Sequence, residues 1–248
     1  MRKRKSKADI AQEELDRAMG LLEKEEFEEA SKLFQKTKNL FSKLGNSANA
    51  VLSEGYMHLA DAETLAKDNK DLLGSMKAFG RAIVILSTKF PEVARRARIG
   101  QARAQSELAK QKAIAGDFLA AARFYESAAA VYQAGGMKEQ AAKARARANV
   151  ERAAHVNNDF EKAKFLELAV EEFRTAGEPS LLIEAHAEYY KGKTLVDVKI
   201  HEALRLLQTA ATKYNKLKLK NQVEKVRQFL ASLKDKVEKS PYEYSQRP

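Results

Sequence analysis

The sequence predicts an all-α protein: a right-handed superhelical solenoid of about five antiparallel helix hairpins, closed by a C-terminal capping helix. Three observations predict it. The chain is built mainly from Ala, Leu, Glu, Lys, Gln and Arg, the strong helix formers. No stretch alternates apolar and polar residues with the period of two that a half-buried strand requires. A short phrase also recurs along the chain, and recurrence at a fixed period is the mark of stacked helical units.

The phrase reads Glu25-Glu26-Phe27-Glu28-Glu29-Ala30, then Gly116-Asp117-Phe118-Leu119-Ala120-Ala121, then Asn158-Asp159-Phe160-Glu161-Lys162-Ala163. Weaker copies are Lys199-Ile200-His201-Glu202-Ala203 and Leu73-Gly74-Ser75-Met76. The large residues at 27, 73, 118, 160 and 200 are spaced by 46, 45, 42 and 40. Each is followed 13 to 17 residues later by an aromatic: Phe41, Phe90, Tyr132, Phe173 and Tyr214. In four of the five units the large residue and the Ala three places on share one helix face, where a small side chain lets a partner helix approach; the degenerate copy has Met76 there.

The elements follow in order. First helices are expected at about 8–24, 46–68, 91–115, 137–156 and 179–194, and second helices at about 27–44, 71–88, 117–134, 159–176 and 197–215. A last helix at about 219–238 covers the open end. Pro91 and Pro179 sit at or near helix starts, where a missing N–H costs nothing. Gly45, Gly135 and Gly177 stand where three hairpins close, as glycine does after a helix C-terminus. A hairpin of this kind cannot bury its apolar face alone, so neighbours stack into one core. The domain therefore runs from 8 to 238, between a disordered basic N-terminus at 1–7 and a disordered tail at 239–248.

Gly116-Asp117-Phe118-Leu119-Ala120-Ala121-Ala122-Arg123-Phe124-Tyr125-Glu126-Ser127-Ala128 resembles the turn and second helix of a tetratricopeptide repeat (TPR), with its Ala, aromatic and Ala at matching offsets. The units here exceed the usual 34 residues of that repeat. Together with Tyr125-Glu126-Ser127-Ala128-Ala129-Ala130-Val131-Tyr132-Gln133-Ala134-Gly135, they are more similar to the soluble NSF attachment protein (SNAP) branch. The likeness covers most of 8–238, strongest over 116–177 and weakest over 67–90. It implies a stacked-hairpin fold and a non-catalytic role in binding protein. The family's C-terminal end engages an AAA ATPase through a near-terminal Leu, which Gln246-Arg247-Pro248 does not match, so that activity is not carried over.

In such stacks the first helix of each hairpin lines the concave groove. Arg96, Arg103 and Lys110 are spaced by seven and form one helix stripe, and Lys138, Arg145 and Arg152 repeat it at a uniform offset of 42. Arg95, Arg98, Lys112, Lys143 and Arg147 enlarge the patch, while the fifth unit has Ser180, Ala187 and Thr194 instead. The functional reading is a basic groove for an acidic helix, an acidic tail or phosphate groups, with Arg making bidentate contacts. The alternative is the solvated face of two surface helices. Glu23, Glu25, Glu26, Glu28 and Glu29 form an opposite patch, explained by the preference of acids for a helix N-terminus.

The net charge of +11 lies at the two ends of the chain. Residues 1–7 carry +5, residues 212–248 carry +6, and 8–211 hold 30 basic and 30 acidic side chains. With no cysteine there is no disulfide, no thiolate metal site and no Cys nucleophile, which fits a reducing cytoplasm. No apolar run approaches the ~20 residues of a membrane span, and no secretory signal precedes the first helix. His58, His155, His186 and His201 have no His three or four places away; each of His58, His155 and His201 has an Asp at helical spacing, the pattern of a surface or capping contact. Gly192-Lys193-Thr194 lacks the preceding strand and glycine of a phosphate loop. The expectation is a cytoplasmic, non-enzymatic adaptor or scaffold without cofactor or metal, holding an acidic protein segment. The alternative is an RNA- or DNA-associated repeat protein using the arginine stripe and the basic tails. A self-assembling protein docking through 219–238 is a third reading.

Overall fold

The computed structural model describes the backbone of residues 5–239 and the side chains of 5–234. Of the two ends expected to be disordered, 1–7 and 239–248, residues 1–4 and 240–248 lie outside the described residues, while Ser6 and Lys7 cap and begin the first helix and Lys239 ends the last. Among the described residues the chain forms eleven α-helices and no strand. They are α1 (Lys7–Glu23), α2 (Phe27–Lys43), α3 (Ser47–Ala66), α4 (Leu72–Leu86), α5 (Pro91–Ile114), α6 (Phe118–Ala134), α7 (Lys138–His155), α8 (Asp159–Thr175), α9 (Leu181–Thr194), α10 (Ile200–Lys216) and α11 (Lys220–Lys239).

The helices fall into two compact units. Residues 5–111 with 127–137 make the first, and 112–126 with 138–239 make the second, so α6 is shared between them. In the first unit α1 packs on α2, α2 on α3 and α3 on α4. In the second, α7 packs on α8, α8 on α9, α9 on α10 and α10 on α11. Within each unit these helices rest on their neighbours in sequence, which is compatible with a helical repeat array.

Small residues set how close the helices come. The buried faces of α5 and α7 are mostly alanine: Ala94, Ala97, Ala102, Ala104 and Ala109 on one, Ala141, Ala142, Ala144, Ala146 and Ala148 on the other. Phe34, Leu59, Phe79 and Leu86 fill the first unit's core, with the Phe34 and Tyr56 rings stacked at 5.2 Å. Leu207, Tyr214, Val226 and Leu233 fill one core of the second, while Leu166, Ala169 and Ile183 fill another. A Cβ on Gly100 of α5 would run into the Phe79 ring of α4, and one on Gly192 of α9 would sit 2.8 Å from Leu207 Cγ. The Gly192-Lys193-Thr194 segment is therefore a packed helix end.

The repeated phrase packs by its alanine. Ala30, Ala121, Ala163 and Ala203 are all buried. The large residue before it behaves differently from expectation. Ile200 is buried and Phe27 and Phe118 are half-buried, but Leu73 is 55% exposed and Phe160 66% exposed. Each stands at or next to the first residue of its helix, a turn short of the neighbouring helix that covers the Ala.

Helix ends share one device. The residue five places on from a helical carbonyl returns an N–H bond to it in Glu26→Leu21, Asn46→Phe41, Asp117→Lys112, Met137→Tyr132, Glu178→Phe173 and Leu219→Tyr214. The residue just before each donor has positive φ: Glu25, Gly45, Gly116, Gly136, Gly177 and Lys218. Gly45 and Gly177 do what the sequence suggests, whereas Gly136 rather than Gly135 takes the left-handed position. Gly135 instead leaves room for the Met137 side chain. Helix starts are capped by Ser6, which forms a capping box with Asp9, and by Asn46, Asp71, Asn158 and Ser180.

Candidate partner-binding surfaces

With alanine filling the inward face of α5, its cations point outward. Arg96, Arg103 and Lys110 are all exposed. Arg103 Nη2 donates to both Glu63 carboxylate oxygens at 2.8 Å, so α5 is tied to α3. Lys110 Nζ donates to Glu107 at 2.7 Å within α5. Arg96 has no carboxylate partner among the described residues and its charge acts on the buried Tyr56 hydroxyl. The Arg103–Glu63 pair lies in a cleft of about 430 Å³ that also holds Glu25, Lys67 and Glu107.

On α7 the same seven-residue spacing gives a different exposure. Lys138 is exposed, while Arg145 and Arg152 are half-buried. Arg145 Nε donates to Glu172 of α8 at 2.8 Å, and Arg152 is paired with Glu126 of α6. Lys143 reaches Glu178 at 2.6 Å, and the Arg147 guanidinium lies 5.9 Å over the Tyr125 ring. The six stripe residues thus split three to each unit, and four of them already hold a carboxylate. Surface pairs of this kind contribute about 0–1 kcal/mol each, so an incoming acid can exchange with them.

Two further clefts have the same construction, with one first helix as floor and two second helices as walls. In the second unit, α8, α9 and α10 enclose about 380 Å³. There Lys213 Nζ donates to Glu184 at 2.8 Å and to Glu188 at 2.9 Å, Arg174 also reaches Glu184 at 3.3 Å, and Lys191 donates to Glu167 at 2.6 Å. The hydrogen bond from Lys213 holds the Glu184 carboxyl below the usual carboxylate range. These three cations and three carboxylates neutralise one another.

In the first unit, α2, α3 and α4 enclose a larger cleft of about 700 Å³. Ser31 Oγ donates to Asp61 Oδ1 at 2.5 Å, and His58 Nδ1 lies 3.9 Å from Asp61 Oδ2. The hydroxyl is bonded to the carboxylate and not to the imidazole, so this is not a nucleophile–base arrangement. Burial pushes the His58 imidazole below its ordinary range, with Arg81 and Lys38 adding to the effect against Asp61 and Glu54. Lys32, Lys77 and Arg81 line the same cleft, are exposed, and have no carboxylate partner among the described residues.

Sequence reasoning missed these three cations. Lys32 and Lys77 stand 45 apart, as do Lys36 and Arg81. The same-sign rule across adjacent repeats, applied to second helices as well as first, would have found them.

No group of three or more metal-binding side chains exists among the described residues. His186 is partly buried, and its Nδ1 shares a 2.7 Å hydrogen bond with the Tyr214 hydroxyl, a packing contact between α9 and α10. Burial lowers the His186 pKa and raises that of Tyr214. No described helix is long and apolar enough to cross a membrane. Comparison of the sequence with known protein families and with characterised proteins finds no match.

Proposed function

We propose that this chain is a non-catalytic interaction protein of the stacked-hairpin type similar to TPR and SNAP proteins, an adaptor or scaffold of the cytoplasm that binds acidic segments of other proteins. The observation that carries the reading is the division of labour on α5 and α7. Alanine takes the inward face and arginine or lysine takes the outward face at seven-residue spacing. Each helix offers its own row: Arg96, Arg103 and Lys110 on α5, and Lys138, Arg145 and Arg152 on α7. Packed helices hold these side chains at fixed spacing, so a partner meets a receptor that loses little freedom on binding.

A row interrupted by Glu63, Glu107, Glu126 and Glu172 favours a partner with discrete carboxylates over a continuous phosphate backbone. The test is recovery of partners from native lysate, with and without nuclease, by wild type, by Arg96→Glu with Arg103→Glu, and by Arg145→Glu with Arg152→Glu. A recovered protein is then rebound in purified form. Loss of that protein on charge reversal, indifferent to nuclease, is the expected result. Nuclease-sensitive recovery assigns the rows to nucleic acid, and recovery unchanged by both double variants overturns the proposal.

A further inference from the structure

The α2–α3–α4 cleft, about 700 Å³, is larger than the α8–α9–α10 cleft of about 380 Å³, and its cations are unpaired among the described residues. Lys32 of α2 and Lys77 and Arg81 of α4 border it without a carboxylate partner among the described residues. Its two acids differ in availability. Asp61 already accepts from Ser31 at 2.5 Å, and Glu28 sits in the first turn of α2, where the helix dipole suits it. The lining therefore presents three free cations against one engaged and one dipole-stabilised carboxylate.

Shape and apolar content narrow the occupant. The floor is α3 and the walls are α2 and α4, both packed on α3, a trough of the kind that receives a helix. Leu73, Lys77, Arg81 and Val84 lie on one stripe of α4, and Leu73 and Val84 are 55% and 78% exposed. This stripe runs from residue 73 to 84, about 16 Å at the α-helical rise. It sets two apolar anchors at the ends of a basic centre. Leu65 and Ala78 add apolar lining inside the cleft. A polyphosphate strand carries a charge at every unit and would meet Glu28 and Asp61 throughout, whereas a helix can space its acids toward the cations and its apolar residues toward Leu73 and Val84.

We infer that the α2–α3–α4 cleft docks an acidic amphipathic helix of another protein, about three turns long, whose carboxylates pair with Lys32, Lys77 and Arg81 while its apolar residues cover Leu73 and Val84. The site is separate from the α5 and α7 rows and uses none of their residues. His58, half-buried beside Asp61, forms part of the floor.

The test uses the full chain and a fluorescein-labelled helical peptide of about 14 residues, with Glu at every fourth position on one face and Leu beside them. A sequence-scrambled isomer and a single-stranded oligonucleotide of equal charge serve as comparators, read by fluorescence anisotropy. The expected result is saturable binding in the range of about 10–100 μM. Lys77→Glu with Arg81→Glu weakens it by about tenfold or more, and Lys32→Glu weakens it less. Arg103→Glu with Arg145→Glu leaves it unchanged, which separates this site from the rows on α5 and α7. Asp61→Asn, which removes a like charge while keeping a hydrogen-bond acceptor for Ser31, tightens binding by about twofold or more. Thermal melts confirm that each variant folds, and the Asp61→Asn gain supports the site even where a charge reversal unfolds the chain. Absence of saturation up to about 1 mM, indifference to Lys77 and Arg81, equal binding of the scrambled isomer, or preference for the oligonucleotide overturns the inference.

Discussion

Two clefts built alike carry opposite electrostatic states. Each has a first helix as floor and two second helices as walls: α3 between α2 and α4 in the first unit, α9 between α8 and α10 in the second. In the second, Lys213 is shared by Glu184 and Glu188, Arg174 joins Glu184, and Lys191 joins Glu167. In the first, Lys32, Lys77 and Arg81 have no carboxylate partner among the described residues. Charge count alone does not separate a strut from a receptor; pairing across helices does.

The comparison breaks most clearly at Lys213. Its side chain is only 20% exposed and bridges two carboxylates that are about equally covered. Lys213→Met leaves Glu188 without a cation and Glu184 with Arg174 alone, and is expected to cost about 2 kcal/mol of stability, read as a fall in Tm. Lys77→Met in the first cleft removes no internal bond and is expected to stay within about 0.5 kcal/mol of wild type. Equal losses at the two positions would show that the clefts do not differ in the way described.

Close helix approach gives the next largest effect. Gly100→Ala places a Cβ against the Phe79 ring, and the expected loss is about 1–2 kcal/mol, even though alanine is the better helix former by about 1 kcal/mol. Gly20→Ala, with nothing within 4 Å of the new carbon, is expected to gain up to about 1 kcal/mol. Chemical denaturation of the two variants side by side checks the sign.

Acid should destabilise the fold in two steps, imidazoles before carboxylates. The Glu184 carboxyl is held below its unfolded value, so its contribution is present above that value and lost as pH falls through the carboxylate range, below about 4.5. Burial likewise lowers His186 and His58, so the unfolded state binds their protons first and stability declines as pH drops below about 6.5. Melting curves between about pH 3 and 7 should show both declines. Lys213→Met should flatten the lower one, and His186→Gln and His58→Gln should each remove part of the upper.

The helices were legible because their signal is local. Alanine at the approach positions, polar caps such as Asn158 and Ser180, and Pro91 at a first turn each mark an element within a few residues. Eleven helices follow the expected boundaries to within about three residues. The shift from Gly135 to Gly136 was not legible, since two adjacent glycines satisfy the same rule until backbone geometry chooses one. The exposure of Phe160 and Leu73 was hidden too, because helical periodicity does not say how far a neighbouring helix extends over the first turn.

The site was less legible for a related reason. Arg103 and Glu63 are 40 residues apart in sequence, and Arg152 and Glu126 are 26 apart, so no spacing rule within one helix couples them. A row of arginines read as free charge turns out to be largely engaged, while Lys32, Lys77 and Arg81, drawn from two helices, converge on open space.

The most direct test is to map, by amide chemical shift, where the acidic amphipathic peptide binds on the full chain. The account predicts that perturbations gather at Lys32, His58, Thr64, Lys77 and Arg81, while Glu167, Glu184, Lys191 and Lys213 stay silent. Perturbations centred on α8, α9 and α10, or spread evenly over the basic surface, would contradict it.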